Sequence, residues 1–486
     1  MNRPIRTLAI GCLLLFIALL INVNFVSVIR AGELNSQADN KRVRDEECSR
    51  ERGPILVGGD AVARSVKSHD DLEYIRRYSE PKLYAPVTGF FSCTYGTSGI
   101  EQTQNAILSG SDSRLFVNRV IDMVGNEQPK GGSVLLTLDP EVQIAAAKGL
   151  AALPGDTAGA AVALDPETGA ILAMVSTPSY DPNLLATHDQ EELAANYARL
   201  SNSPDKVMRN RATQERYPPG STFKLVTAAA ALSNGYSPDS LVKGDAVLDL
   251  PQTSRDLHNE NGSSCGGSEI TLTRALEVSC NVAFGDLGLK LGQDTLRDQA
   301  EMFGFNEDII DELPASADSV FPENLDEPQL AFSAIGQYEV AATPLQMAMV
   351  AAGIANGGDV MRPYVVQAVR SPDVEILDEA DPEVLHQAVS GGVADDLTQM
   401  MVGVVENGTG SNVQIPGVDV AGKTGTANSA QDRSPYAWMV TFAPADDAEV
   451  AVAVFIESTA VERGEVSGNG LAGPIAKSIM EAVINQ

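Results

Sequence analysis

A serine hydroxyl attacks a carbonyl at neutral pH only when a neighbouring base takes its proton, and one segment of the chain is built for that. It runs Tyr217-Pro-Pro-Gly-Ser-Thr-Phe-Lys224 and continues into the apolar stretch Leu225 to Leu232. Pro218, Pro219 and Gly220 stop any regular structure before it, and the stretch that follows favours helix until Ser233-Asn234-Gly235 ends it. Ser221 is therefore expected at a helix start. Lys224 lies three residues on and on the same face, with its amine within hydrogen-bond reach of the hydroxyl. In a partly dry pocket that amine gives up its proton more readily and becomes the base. The chemistry described is acyl transfer through serine with lysine in the place of histidine. Ser79 and Lys82, Ser203 and Lys206, and Ser240 and Lys243 share the spacing. None of them joins a chain-breaking turn to an apolar helix, so they read as accidents. The plain alternative for Ser221 is a helix-capping serine beside an unrelated surface lysine.

Two further segments could complete such a site. Ser279-Cys-Asn281 follows the helix-like run Leu272 to Val278, and its first and third side chains can face a cleft from a loop between helices. Ser467 and Asn469 repeat the pattern, so taken alone it is cheap. Ala421-Gly-Lys-Thr-Gly-Thr-Ala427 contains the chain's one Lys-Thr-Gly, Lys423 to Gly425. Gly425 lets an extended substrate lie against a strand edge, while Lys423 with the hydroxyls of Thr424 and Thr426 can hold a carboxylate. The bland reading is a Gly-rich turn opening a hairpin.

The elements that must position these groups are legible in outline. Ser133 to Leu138 reads as a strand, and Asp139-Pro140 caps a helix from Glu141 to about Ala152, with proline where its missing N–H costs nothing. Gly159 to Leu164 and Ala170 to Val175 form a hairpin about Asp165-Pro-Glu-Thr-Gly169. Ala437 to Phe442 and Ala448 to Ile456 are strands, and a last helix runs from Gly473-Pro474 to about Val483. Strands at both ends with helices between predict one α+β domain over residues 134–486, an antiparallel sheet flanked by helices. Residues 30–133 hold short strands such as Arg52 to Leu56 and Asp60 to Ala63, turns, and a helix from Gln102 to Leu108. They read as a small pedestal, with Ala31 to Asp45 a polar linker.

Composition bounds the rest. A net charge of −31, from 34 basic and 65 acidic residues, opposes phosphate binding and excludes nucleic acid as a partner. His69, His188, His258 and His386 are far apart in no ligand spacing, so no metal is expected. Leu8 to Ile29 carries no charge and is long enough to cross a bilayer; Arg3 and Arg6 before it predict a cytoplasmic tail of residues 1–7 and an uncleaved anchor. The remainder would then lie outside the cytoplasm. Cys48, Cys93, Cys265 and Cys280 would share that oxidising space; the short loop favours a Cys265–Cys280 disulfide, which leaves Cys48 for Cys93.

Ser-x-x-Lys, then Ser-x-Asn, then Lys-Thr-Gly, in that order, is the signature set of serine acyltransferases that react with penicillin. The chain resembles the class B penicillin-binding proteins over residues 134–486, also through Thr137-Leu-Asp139 with Gln143, Asn210-Arg-Ala212, Ile335-Gly-Gln337 and Thr343 to Ala348. Arg52-Gly-Pro-Ile55 and Gly99-Ile-Glu101 resemble the N-terminal module of the same class, and the size suits its single-pass actinobacterial members. Cys280 departs from the Ser-Asp-Asn form at a position that varies in class B. The resemblance implies a serine β-lactamase-like fold and a peptidoglycan D,D-transpeptidase acylated by β-lactams, with no metal or organic cofactor. It implies Ser221 as nucleophile, Lys224 as base, Ser279 as proton carrier, and Asn281 on the substrate amide. Lys423, Thr424, Gly425 and Thr426 would form the carboxylate-binding strand, and the backbone N–H groups of Ser221 and Thr426 the oxyanion hole. Stem peptides and β-lactams are the expected ligands, and a membrane glycosyltransferase the expected partner. The competing readings are a D,D-carboxypeptidase, a β-lactamase-type hydrolase and a non-catalytic scaffold. Class A β-lactamases carry a local Glu-x-x-x-Asn, which is missing between Asn281 and Lys423.

Overall fold

Alternation within the apolar strands decides the architecture. In a computed structural model, which describes residues 3–26, 30, 48–70, 72–116, 130–427 and 434–486, those strands form a sheet buried on both faces. Ala160, Val162 and Leu164 enter one core while Ala161 and Ala163 enter a second. The strands, numbered by their place in the chain, are β5 (Ala158–Leu164), β6 (Ile171–Thr177), β9 (Ala421–Ala427), β10 (Tyr436–Ala443) and β11 (Val450–Ser458). Their order is β9-β10-β11-β5-β6, antiparallel throughout. On one face lie α2 (Pro140–Ala151) and α8 (Gly473–Ile484); on the other lies α6 (Pro344–Ala355), nearly all of it buried. The cap of α2 is as expected, Asp139 accepting from the N–H groups of Glu141 and Val142 at 2.8 and 3.0 Å.

The pedestal is joined to this domain by a second sheet. Strands β1 (Ile55–Val57), β2 (Asp60–Lys67), β3 (Tyr74–Tyr78), β4 (Ser133–Leu136), β7 (Val366–Arg370) and β8 (Ile376–Glu379) pair in the order β8-β7-β4-β1-β2-β3. The Ser133 to Leu138 strand is thus not part of the central sheet: β4 pairs parallel with β1 and antiparallel with β7. The expected limit at 133/134 falls at the first residue of a strand shared by both parts. The helix expected at Gln102 to Leu108 is broken into Gly99–Thr103 and Asn105–Leu108. In the pedestal core, Glu101 takes Arg52 Nε at 2.6 Å and Arg76 Nε at 2.7 Å, all three side chains buried.

The N-terminal helix α1 spans Arg3–Asn24 rather than beginning at Leu8, and the expected end at Ile29 and the Ala31 to Asp45 linker lie outside the described residues. Its segment Ile5–Asn24 has mean hydropathy 2.3 and no side chain buried within the fold, so it is long and apolar enough to cross a membrane. Both expected disulfides are present, Cys48–Cys93 and Cys265–Cys280, with Cα separations of 6.0 and 5.9 Å.

Candidate active site

Ser221 lies in the 3-10 turn Gly220–Phe223, which leads directly into α3 (Lys224–Ser233). Every residue of α3 from Lys224 to Leu232 is buried, so the apolar run that predicts the helix also drives it into the core and draws the lysine in with it. The turn is held from several directions. Gly220, at φ +54°, donates its N–H to Gly336 O at 2.9 Å; Trp438 Nε1 donates to Pro218 O at 3.1 Å; Tyr217 and Ala342 exchange a pair of backbone bonds. Ile335-Gly-Gln337, known from sequence only as a point of resemblance, supplies the carbonyl beneath the serine.

Three remote segments converge on this turn. Lys224 Nζ lies 2.7 Å from Ser279 O, 2.7 Å from Asn281 Oδ1 and 3.2 Å from Ser279 Oγ. Lys423 Nζ lies 3.0 Å from Ser279 Oγ and 2.9 Å from Thr424 O. The Ser279 hydroxyl is therefore bracketed by two amines. Among the described residues no hydrogen bond joins Lys224 Nζ to Ser221 Oγ, which corrects the direct contact expected from the three-residue spacing. The pull comes from α5 (Asn281–Leu291) and the loop before it, where Ser279 at φ +56° turns its carbonyl and hydroxyl toward the lysine. Asn281 Nδ2 donates to His258 O at 3.0 Å, which orients its carboxamide oxygen toward Lys224.

Electrostatics follow from burial. Desolvation holds Lys224 well below the usual lysine pKa, the charge of Lys423 pushes the same way, and Glu260 opposes both. Desolvation lowers Lys423 to about 7, again opposed by Glu260. A neutral Lys224 has two N–H groups, which Ser279 O and Asn281 Oδ1 absorb because both can only accept. Its lone pair is then left for a hydroxyl proton.

Thr424 and Thr426 face the cleft from β9, the edge strand of the central sheet, and Thr424 Oγ1 is 2.7 Å from Thr409 Oγ1. Gly425 does not offer open space to a substrate. A Cβ there would meet Thr222 Cγ2 at 2.9 Å, Pro219 O at 3.0 Å and Trp438 Cβ at 3.1 Å, so the glycine admits the serine turn itself. Thr409, Glu260, Arg274 and Ser467 to Asn469 also line the cleft and were not singled out from sequence, or were set aside. The signal for the last was present as the second Ser-x-Asn, and in the structure Gly468 crosses the strands so closely that a Cβ there would clash with Trp438 O. The three other Ser-x-x-Lys matches are spent on local structure. Ser79 Oγ donates to Ala61 O, Lys206 pairs with Glu215, and Lys243 pairs with Asp286.

The described residues contain no cluster of His, Cys, Asp and Glu able to hold a metal ion. Comparison with known proteins decides the family. Residues 159–481 match the penicillin binding protein transpeptidase domain, and residues 52–134 the penicillin binding protein A dimerisation domain. The chain belongs to the class B penicillin-binding protein transpeptidases. Over its whole length it is 42% identical to the peptidoglycan D,D-transpeptidase PbpA of Mycolicibacterium smegmatis, covering 100% of each. It is 40% identical to PbpA of Mycobacterium tuberculosis, covering 100% of this chain and 99% of that one. Among solved structures it resembles penicillin-binding protein A from M. tuberculosis as its ceftriaxone acyl-enzyme complex, with TM-score 0.87 and 40% identity over 90% of this chain and 100% of that one. The penicillin G acyl-enzyme of that protein matches with TM-score 0.85 and 40% identity over the same shares. The class B assignment agrees with the cleft, where serine, two amines and a carboxamide meet.

Proposed function

We propose that this protein is a peptidoglycan D,D-transpeptidase, acylated by β-lactams at the same serine, and that the observation carrying this is the bracketing of Ser279 Oγ by Lys224 and Lys423 beside the Ser221 turn. Ser221 Oγ attacks the carbonyl of the penultimate D-Ala of a stem peptide, and the lone pair of neutral Lys224 takes its proton. Ser279, in contact with that amine, relays the proton to the leaving nitrogen of the terminal D-Ala. The backbone N–H groups of Ser221 and Thr426 receive the developing oxyanion, a contribution of about 3 kcal/mol per donor. Lys423, Thr424 and Thr426 hold the terminal carboxylate. The second N–H of Asn281 Nδ2, free of His258, meets the stem amide. An amine from a neighbouring stem then resolves the ester. Gly425 acts indirectly, by letting Pro219 and Thr222 seat the serine against β9.

In this reading residues 1–7 are a cytoplasmic tail, 8–29 a signal anchor, 30–133 a pedestal and 134–486 the extracytoplasmic transpeptidase domain. The oxidising compartment is supported by the two disulfides. The anchor and pedestal would dock a membrane glycosyltransferase that makes the glycan strands.

The test is turnover of a soluble pentapeptide ending in D-Ala-D-Ala with the full chain in detergent. D-Ala release together with a covalent stem dimer, both stopped by penicillin, is the expected result. D-Ala release without dimer at saturating acceptor would make the protein a carboxypeptidase, and release of neither would make it a scaffold.

A further inference from the structure

Arg211, from the Asn210-Arg-Ala212 segment, is a buried cation outside the cleft. Its Nε donates to Glu457 Oε2 at 2.7 Å and its Nη2 to Asp205 O at 2.7 Å, while Nη1 is buried and, among the described residues, has no acceptor. Glu457 is the one carboxylate that pairs with it among the described residues. The same oxygen, Glu457 Oε2, accepts the Tyr217 hydroxyl at 3.2 Å. Glu457 lies near the end of β11, two residues past Phe455 and on the same face of the strand. The Tyr217 ring rests on Phe455, with centroids 4.1 Å apart, so the ring covers one side chain and its hydroxyl meets the other.

Tyr217 opens the segment that ends in the nucleophile, and its main chain is tied to Ala342 rather than to the central sheet. Among the described residues two hydrogen bonds join residues 217–220 to that sheet: Trp438 Nε1 to Pro218 O, and the Tyr217 hydroxyl to Glu457. Ring stacking is non-directional and lets Tyr217 slide along Phe455. A hydrogen bond to a charged acceptor fixes both distance and direction. Burial, then the charges of Glu457 and Glu215, push the phenol far above its usual pKa, so it stays protonated and donates. It has one hydrogen and a second acceptor, Glu215 Oε2 at 3.3 Å. Glu215 is paired with Lys206, whose side chain is 55% exposed, and an exposed pair holds its members loosely. Glu457, backed by a buried guanidinium, is the fixed end.

Building on the transpeptidase reading, we propose that Glu457 is a positioning residue for the nucleophile: held by Arg211, it stops the Tyr217 hydroxyl at one place on β11 and so sets where the serine turn stands against Lys224 and β9. It touches no substrate and moves no proton. Its effect passes through Tyr217 to Pro218 and Pro219, whose stiff backbone carries a shift at the ring on to Ser221. Acylation needs the Ser221 oxygen aligned with the lone pair of Lys224, whereas binding of a β-lactam needs only the shape and charge of the cleft. Loss of the Tyr217 bond therefore slows the bond-forming step and leaves binding in place.

Stopped-flow acylation of the full chain in detergent by a chromogenic cephalosporin, over a concentration series, separates the limiting rate from half-saturation. Tyr217→Phe keeps the ring on Phe455 and loses only the hydroxyl. It should lower the limiting rate about tenfold, with half-saturation within about twofold and Tm close to wild type. Glu457→Ala should do the same, and Glu457→Gln should recover most of the rate, because its amide oxygen still accepts from Arg211 and Tyr217. In the Glu457→Ala background Tyr217→Phe should add less than about twofold, since both changes remove one bond. Glu215→Gln should stay within about twofold of wild type. Should Glu457→Ala not fold, with Arg211 left uncompensated, Tyr217→Phe decides alone. A wild-type limiting rate in Tyr217→Phe, additive losses in the double variant, or a Glu215→Gln loss equal to that of Tyr217→Phe overturns the proposal. A wild type that the cephalosporin does not acylate overturns the transpeptidase reading beneath it instead.

Discussion

Lys224 and Lys423 are fully buried on either side of one hydroxyl, at 3.2 and 3.0 Å from Ser279 Oγ. Each protonated amine disfavours the other, and burial disfavours both charges. The account needs Lys224 neutral to act as base and Lys423 charged to hold a carboxylate. Penicillin acylation, measured as a second-order rate constant, should therefore rise as Lys224 loses its proton and fall above pH about 7 as Lys423 loses its own. Glu260 raises the pKa of both lysines, so Glu260→Gln lowers both. Both limbs of the profile should move toward lower pH, by roughly half a unit for a charge at the solvent edge. Stopped-flow acylation between pH 5 and 9 checks this; limbs that stay in place or move up would remove Glu260 from the electrostatics. At this scale the sequence displays the reacting types, because Ser221, Lys224, Ser279, Asn281 and Lys423 stand in short motifs. It does not display which partners each amine selects. Ser279 at φ +56° intercepts Lys224, and that conformation is the left-handed cap that ends α4 (Leu272–Glu277), with Ser279 N–H on Leu276 O and Cys280 N–H on Ala275 O, at a position where glycine or asparagine would have signalled it.

At the scale of elements, the site is a clamp between the serine turn and the edge strand β9. Gly425 shows how tight it is. Gly425→Ala would force a Cβ against Pro219 O and Thr222 Cγ2, and the backbone at Pro219 cannot yield without moving Ser221. Acylation by penicillin should fall by about tenfold or more, since displacements of the order of 1 Å carry penalties of that size, and the fold should survive with a modestly lower Tm. Unchanged acylation with unchanged Tm would show that the contact relaxes freely. The strands β5, β6, β10 and β11 were readable because both their faces are apolar over six or more residues. The edge role of β9 was only partly readable, since its Gly and Thr residues equally suit a turn. Of the six-stranded sheet, β1, β2 and β4 were readable singly but their pairing was not: the strands are short, β1 meets β4 at Leu56 and Leu135, β4 meets β7 at Val134 and Val369, and they take register from one another.

For the molecule as a whole, β4 locks the pedestal into the transpeptidase domain, so the two should unfold together. The pedestal's own weak point is Glu101. Burial pushes its carboxyl up, but the guanidiniums of Arg76 and Arg52 outweigh that and hold it below the ordinary glutamate value. Glu101→Ala leaves two buried cations uncompensated and should cost about 3–5 kcal/mol, read as a fall in the denaturation midpoint of the whole chain. A fall confined to a separate early transition would mean that the shared sheet does not couple the two parts. The −31 net charge also belongs to this scale. It sets the surface field and opposes contact with a phosphate backbone, while saying nothing about the cleft, where buried amines prevail.

The central claim is that Ser221 is the acylated nucleophile and that this converged cleft, not another serine with the same spacing, makes it so. Treatment with penicillin G, proteolysis and mass spectrometry measure it directly. One adduct per chain on the peptide containing Ser221, lost in Ser221→Ala and retained in Ser203→Ala and Ser240→Ala, is the predicted result. An adduct on any other peptide, or one that persists in Ser221→Ala, would contradict the account.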